Sequence, residues 1–169
     1  MATKKKLPKT NKNLFHYKVI ISEPNLNYFH VELTVRLKQS SVKFHLPTWS
    51  PGSYLIRDYA GHVHNFSVFA ANDQPIKWRQ SGLSTWEVLS DNKPFTLKYK
   101  VYSFEHSVRT NFLDTEYGFI NPPSLFLYPE GYLENKVEIS YETNSHFKYV
   151  YSALEKKENL LIAANFDEL

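Results

Sequence analysis

Three groups of residues have the types and spacing that chemistry requires. His62-Val63-His64 sets two imidazoles two positions apart, so an extended backbone turns both to the same side. That is ligand spacing, but a zinc site needs a third protein ligand. No neighbouring residue identifies one, and the pair reads as two surface or turn histidines. Asp114 and Glu116 are the nearest thing to a carboxylate pair. Carboxylates that cleave a glycosidic bond flank it at about 5–9.5 Å, a separation that closeness in sequence neither establishes nor requires. Asp114 reads instead as a partner of Arg109 beside a turn. The third group is Trp49, Trp78 and Trp86, which could stack on sugar rings. Trp78 and Trp86 fall in strand-like segments and read as packing groups; Trp49 sits in a Pro-flanked loop and stays open to a ligand.

Other chemistries have no residues to carry them. Without cysteine there is no disulfide scaffold, thiolate metal site or thiol nucleophile. Neither H-E-x-x-H nor G-x-S-x-G occurs, and five glycines leave no phosphate-cradling loop. As this chain stands it reads as non-catalytic, with no metal site and no cofactor of its own.

The elements that must position these residues alternate with period two. Phe29, Val31, Leu33, Val35 and Leu37 point one way, with His30, Glu32, Thr34 and Arg36 pointing the other, the pattern of a half-buried antiparallel strand. Tyr17, Val19 and Ile21 repeat it, as do Val42, Phe44 and Leu46. Phe66–Phe69 and Ile76–Trp78 read as a hairpin around an Asn-Asp turn, and Phe95 to Val101 follows the Asp91-Asn92 turn. Later strands are expected at 125–127, 137–141, 147–151 and 160–163. Helix signals reach one or two turns at 54–60 and a short turn or polar loop at 152–158. The spacing predicts an all-β fold, an antiparallel sandwich or a curved, saddle-like sheet stack.

Length and charge complete the outline. The 169 residues suit one domain, taken as residues 15–169 behind a disordered lysine-rich arm, residues 1–14. Five lysines lie in that arm; removing them from the formal net charge of +3 leaves −2 for the body. A body of that charge argues against nucleic acid as a partner. No apolar run reaches the ~20 residues of a membrane helix, and no secretory signal is recognisable. The chain is therefore expected in the cytoplasm, with no membrane partner.

Two stretches carry a family resemblance: Leu46-Pro47-Thr48-Trp49-Ser50-Pro51-Gly52-Ser53-Tyr54-Leu55-Ile56-Arg57-Asp58-Tyr59-Ala60, and Tyr102 to Thr110 continuing through Leu113-Asp114, Gly118-Phe119-Ile120-Asn121 and Ser124 to Tyr128. With Glu23-Pro24 and the closing Phe166-Asp167-Glu168-Leu169, the sequence resembles the amino-terminal domain of the glycyl-aminopeptidase family, zinc metallopeptidases that also carry a PDZ module. The resemblance implies a β-rich first domain that frames the substrate cleft of a catalytic domain, with zinc held by that second domain. The implied partners are that catalytic domain and, in the longer protein, a peptide substrate. Surface left bare beside it would favour a homodimer.

Within this frame Tyr117, Phe119, Asn121 and Ser124 are the candidate cleft-lining residues, because loops on rigid scaffolds carry binding groups. The rings would limit side-chain volume, and Asn121 and Ser124 would hydrogen-bond substrate backbone. The family often has Asn-Gly where this chain reads Asn121-Pro122, which removes an N–H. Arg57, Asp58, Arg109 and Asp114 are expected to form a polar network that locks the loops. The alternative reading is an independent β-sandwich module that binds carbohydrate or peptide through Trp49 and nearby tyrosines.

Overall fold

The computed structural model describes residues 15–50, 55–145 and 147–169. The lysine arm and residues 51–54, where Pro51-Gly52 is expected to form a tight turn, lie outside the described residues. The strands are β1 (Phe15–Ile21), β2 (Tyr28–Val35), β3 (Val42–His45), β4 (Val63–Ala70), β5 (Trp78–Gly82), β6 (Thr85–Val88), β7 (Phe95–Tyr102), β8 (Phe112–Leu113), β9 (Gly118–Phe119), β10 (Tyr128–Pro129), β11 (Val137–Thr143), β12 (Glu155–Lys157) and β13 (Leu160–Ala163). They form a seven-stranded sheet in the order β12-β13-β11-β1-β2-β7-β4, a four-stranded sheet β10-β3-β6-β5, and the small hairpin β8-β9. The fold is all-β, as the alternation predicts. One pair, β1 with β11, runs parallel, from Phe15 opposite Val137 to Ile21 opposite Thr143.

The period-two residues build the core. Phe15, Tyr17, Val19 and Ile21 of β1 are buried, as are Phe29, Val31, Leu33 and Val35 of β2 and Phe95, Leu97, Tyr99 and Val101 of β7. The second sheet closes over one end of this face, where Phe44 meets Phe95 edge-on at 6.0 Å. A bulge between His64 and Ser67, with Asn65 at φ 54°, brings Phe66 against the core. Phe66 there stacks on Trp86 at 5.5 Å and meets Trp78 at 4.6 Å.

Five local expectations resolve differently. The turn at 71–75 forms, with Asp73 at φ 58°, but β4 and β5 end in different sheets. Only the Phe69–Pro75 bridge joins this turn's two arms, flanked by bonds from the Ala70 N–H to the Gln74 carbonyl and from the Ile76 N–H to the Val68 carbonyl, both at 2.8 Å. Residues 125–127 are buried without being a strand, because their backbone is taken by tyrosine hydroxyls. Residues 147–151 form no strand and instead lie as a strap beside the large sheet. The polar stretch at 152–158 contains strand β12, which turns into β13 at Glu158, φ 56°. The expected helical turn is a 3-10 turn at Tyr59–His62. Among the described residues no helix is long and apolar enough to cross a membrane.

The buried phenols of Tyr17 and Tyr99 make stability depend on pH. Burial pushes both well above the ordinary phenol value of about 10. A raised folded value means that the contribution is complete below about pH 10, where the unfolded phenol is also neutral, and is lost as pH climbs further. Melting temperatures measured across pH should hold level up to about 10 and then fall. A Tyr99→Phe chain should show a shallower alkaline decline, and an unchanged decline would contradict this assignment.

Candidate functional site

After β7 the chain leaves the sheet and builds one connected loop system. Ser103 anchors its start: its N–H donates to the Asn27 carbonyl at 2.8 Å, and its carbonyl accepts from Leu113 at 2.7 Å. Hairpin β8–β9 follows. Its tip is shaped by Asp114, whose Oδ1 accepts from the backbone N–H groups of Glu116 at 2.7 Å and Tyr117 at 2.9 Å. Those two donors hold the Asp114 carboxyl below the usual carboxylate range. Asp114 is therefore a turn cap.

Immediately before the hairpin, Asn111 does what no sequence pattern announced. Its side chain is buried; Oδ1 accepts from the Asn121 N–H at 2.9 Å and Nδ2 donates to the Ser124 carbonyl at 3.1 Å. One amide thus bridges Asn121 to Ser124. Asn121 Nδ2 donates to the Arg109 carbonyl at 2.8 Å, and the Tyr59 hydroxyl donates to that same carbonyl at 2.8 Å. Ser124 Oγ donates to the Asn121 carbonyl at 2.9 Å. Pro122 opens a 3-10 turn, where its fixed φ suits the first position, and its carbonyl accepts from Leu125 and Phe126, both at 3.0 Å. Pro122 is thus a builder of this turn.

Below the loop, two phenols from the large sheet hold residues 125–127. Tyr17 donates to the Leu127 carbonyl. Tyr99 donates to the Leu125 carbonyl at 3.0 Å and accepts from the Leu127 N–H at 3.3 Å. The loop is thereby tied to the middle of the core.

The candidate residues fall into distinct places. Tyr117 and Phe119 are exposed and line a cavity of about 600 Å³, floored by Phe29 and Ile139 of the large sheet and walled on another side by the 147–151 strap. Asn121 lines a second cavity of about 660 Å³ with Trp49, Val108 and Arg109. Ser124 is only 3% exposed. Loop 117–124 divides the two cavities, and Pro122, Phe126 and Leu169 line both.

Among the described residues no ion pair joins Arg57, Asp58, Arg109 or Asp114 to one another. Each charged chain acts locally or through its backbone. Asp58 accepts from the Gly61 N–H at 3.2 Å, capping the turn at Tyr59. Arg57 donates its N–H to the Thr48 carbonyl at 2.8 Å. Arg109 contributes its carbonyl, the hub shared by Tyr59 and Asn121. His62 lies parallel to Tyr102 at 6.4 Å and His64 meets Tyr28 edge-on at 5.7 Å. No group of three or more His, Asp or Glu side chains among the described residues could hold a metal.

Comparison with known proteins fits this architecture. One solved structure, an aminopeptidase N family protein from Idiomarina loihiensis, superposes with a TM-score of 0.82 at 27% identity, over 92% of this chain and 28% of that one. This chain thus spans little more than a quarter of that relative. An M1 zinc metallopeptidase from Deinococcus radiodurans matches at a TM-score of 0.41 and 10% identity, over 88% of this chain and 36% of that one. No curated protein matches the sequence. The peptidase M61 N-terminal domain family matches residues 16–169, nearly the whole chain. The resemblance carried by the Trp-Ser-Pro-Gly and Gly-Phe-Ile-Asn stretches is borne out at that level: this chain belongs to the M61 peptidase N-terminal domain family.

Proposed function

We propose that this chain works as the non-catalytic amino-terminal domain of a zinc-dependent aminopeptidase, with loop 117–124 framing the substrate cleft of the catalytic domain beside it. The observation that carries this reading is that loop 117–124 stands between two cavities, with Tyr117 and Phe119 in one and Asn121 in the other. Membership in the M61 N-terminal family supports the peptidase parent.

An enzyme that removes residues from a chain end needs a cleft closed on one side, and a stiff wall closes it. The loop has that stiffness: Asn111, Asn121 and Ser124 satisfy its polar groups internally, while Tyr17 and Tyr99 fix its base. Tyr117 and Phe119 are the exposed rings that would limit the volume open to substrate. Asn121 and Ser124 hold the loop's shape, with Asn121 the one nearer the second cavity. Zinc supplies a polarised water when bound in the parent's catalytic domain. The described residues of this chain do not fit a zinc ion, so the role assigned here involves positioning alone. The same reading extends to a PDZ module in the parent and to a cytoplasmic location.

Amide hydrogen exchange tests this reading. In the full-length parent the amides of 117–121 and 124 should exchange more slowly than in this chain alone, and more slowly again with a competitive aminopeptidase inhibitor. Identical exchange in all three states would overturn it.

A further inference from the structure

The cavity between hairpin β8–β9 and the 147–151 strap has features that a mere wall does not need. Among the described residues strand β9 has a neighbour on one side only. Its register places Phe112 opposite Phe119 and Leu113 opposite Gly118, and the Asp114 N–H donates to the Tyr117 carbonyl at 3.1 Å. Since inward and outward backbone groups alternate along an antiparallel pair, Gly118 turns its N–H and carbonyl away from β8, as does Ile120. The Leu113 N–H shows the same alternation on the other strand, reaching out to Ser103. Gly118, Phe119 and Ile120 all line the cavity, so a free strand edge opens into it. The position accepts no side chain cheaply: a Cβ on Gly118 would sit 3.1 Å from the Phe29 ring and 3.2 Å from Leu113.

The remaining lining is mostly apolar and aromatic, with Thr143 and Ser152 the uncharged polar residues besides tyrosine. Tyr149 and Tyr151, 75% and 88% exposed, are ring neighbours at 6.3 Å on the strap. Lys148 from the strap and Glu116 from the hairpin bring one charge of each sign, so the lining has no net charge to reject an uncharged ligand. A volume of about 600 Å³ lies within the roughly 300–1,000 Å³ of small-ligand sites.

We propose that this groove binds an extended peptide segment with apolar side chains, which adds to the β9 edge as a further strand. Main-chain hydrogen bonds to Gly118 and Ile120 hold the backbone, while Phe119 and Tyr149 flank alternate side chains. A lipid or detergent tail satisfies the rings but leaves the strand edge unused, and for that reason the ligand is a peptide. The site belongs to this chain alone and goes beyond the domain role proposed above; its failure would leave that role standing.

Calorimetric titration of the full chain with an acetylated, amidated Ala-Leu-Phe-Leu peptide should show saturable binding, with the Gly118 and Ile120 amide resonances shifting most. An analogue N-methylated along its backbone keeps the side chains but cannot donate, and it should bind at least roughly tenfold more weakly. Phe119→Ala and Tyr149→Ala should each weaken binding about tenfold without changing the melting temperature. Absence of saturable binding up to millimolar peptide would overturn the proposal. So would equal binding of the N-methylated analogue or of dodecyl maltoside at the same residues.

Discussion

Replacing Asn111 by leucine should lower the melting temperature by roughly 6–12 °C, a loss of about 3 kcal/mol. The substitution keeps the volume but removes both ends of the amide bridge. The Asn121 N–H loses its acceptor and the Ser124 carbonyl loses a donor. Buried groups left unpaired cost about 1–3 kcal/mol each, and here they bracket the Pro122–Ser124 turn. Arg109→Ala is the informative control. Its guanidinium joins no ion pair among the described residues, while its carbonyl, the part that Tyr59 and Asn121 use, survives the substitution. That variant should stay within about 0.5 kcal/mol of the parent chain. Thermal unfolding of both variants checks the pair: a large loss for Arg109→Ala and none for Asn111→Leu would invert the assignment of which group holds the loop.

Tyr99→Phe should cost about 2–3 kcal/mol, because it strands the Leu127 N–H and the Leu125 carbonyl in the core. Tyr17→Phe removes one donor, to the Leu127 carbonyl, and should cost about 1–2 kcal/mol. Both hydroxyls hold the same three residues, so the double variant should lose less than the sum. Denaturant unfolding gives the three values, and amide exchange at 125–127 should accelerate in each. Strict additivity would mean that the two phenols hold the segment independently.

These two predictions rest on contacts that the sequence did not disclose. Alternation placed Tyr17 and Tyr99 on the inward face, since period two reports which side a residue takes. It is silent on where a hydroxyl finds its partner. Residues 125–127 are an expected strand, yet hydroxyls from 26 and 110 positions away satisfy their backbone. Asn111 had no signal, being one polar residue between Thr110 and Phe112. The expected network of Arg57, Asp58, Arg109 and Asp114 rested on charge, whereas the loops are held by neutral amides and hydroxyls. In a nearly dry loop an amide gives donor and acceptor together and avoids the desolvation that a charge incurs.

The fold itself was far more legible. Phe29 to Val35, Val42 to Phe44 and Phe95 to Val101 declared their buried faces by spacing, and Asp91-Asn92 declared its turn through residues that tolerate φ of 50° and 60°. The parallel pairing of β1 with β11 was hidden because both strands alternate as antiparallel ones do when a single face is buried. The loop at 117–124 was picked out by family resemblance and by its position between strands. The structure gives it two neighbouring cavities and Leu169 between them.

The account stands on this chain positioning substrate for catalysis performed elsewhere in a longer protein. Hydrolysis of alanyl and glycyl p-nitroanilides by the purified chain, set beside the full-length parent with and without a zinc chelator, tests that most directly. The predicted result is turnover by the parent, abolished by the chelator, and none by this chain. Chelator-sensitive turnover by residues 1–169 on their own would contradict it.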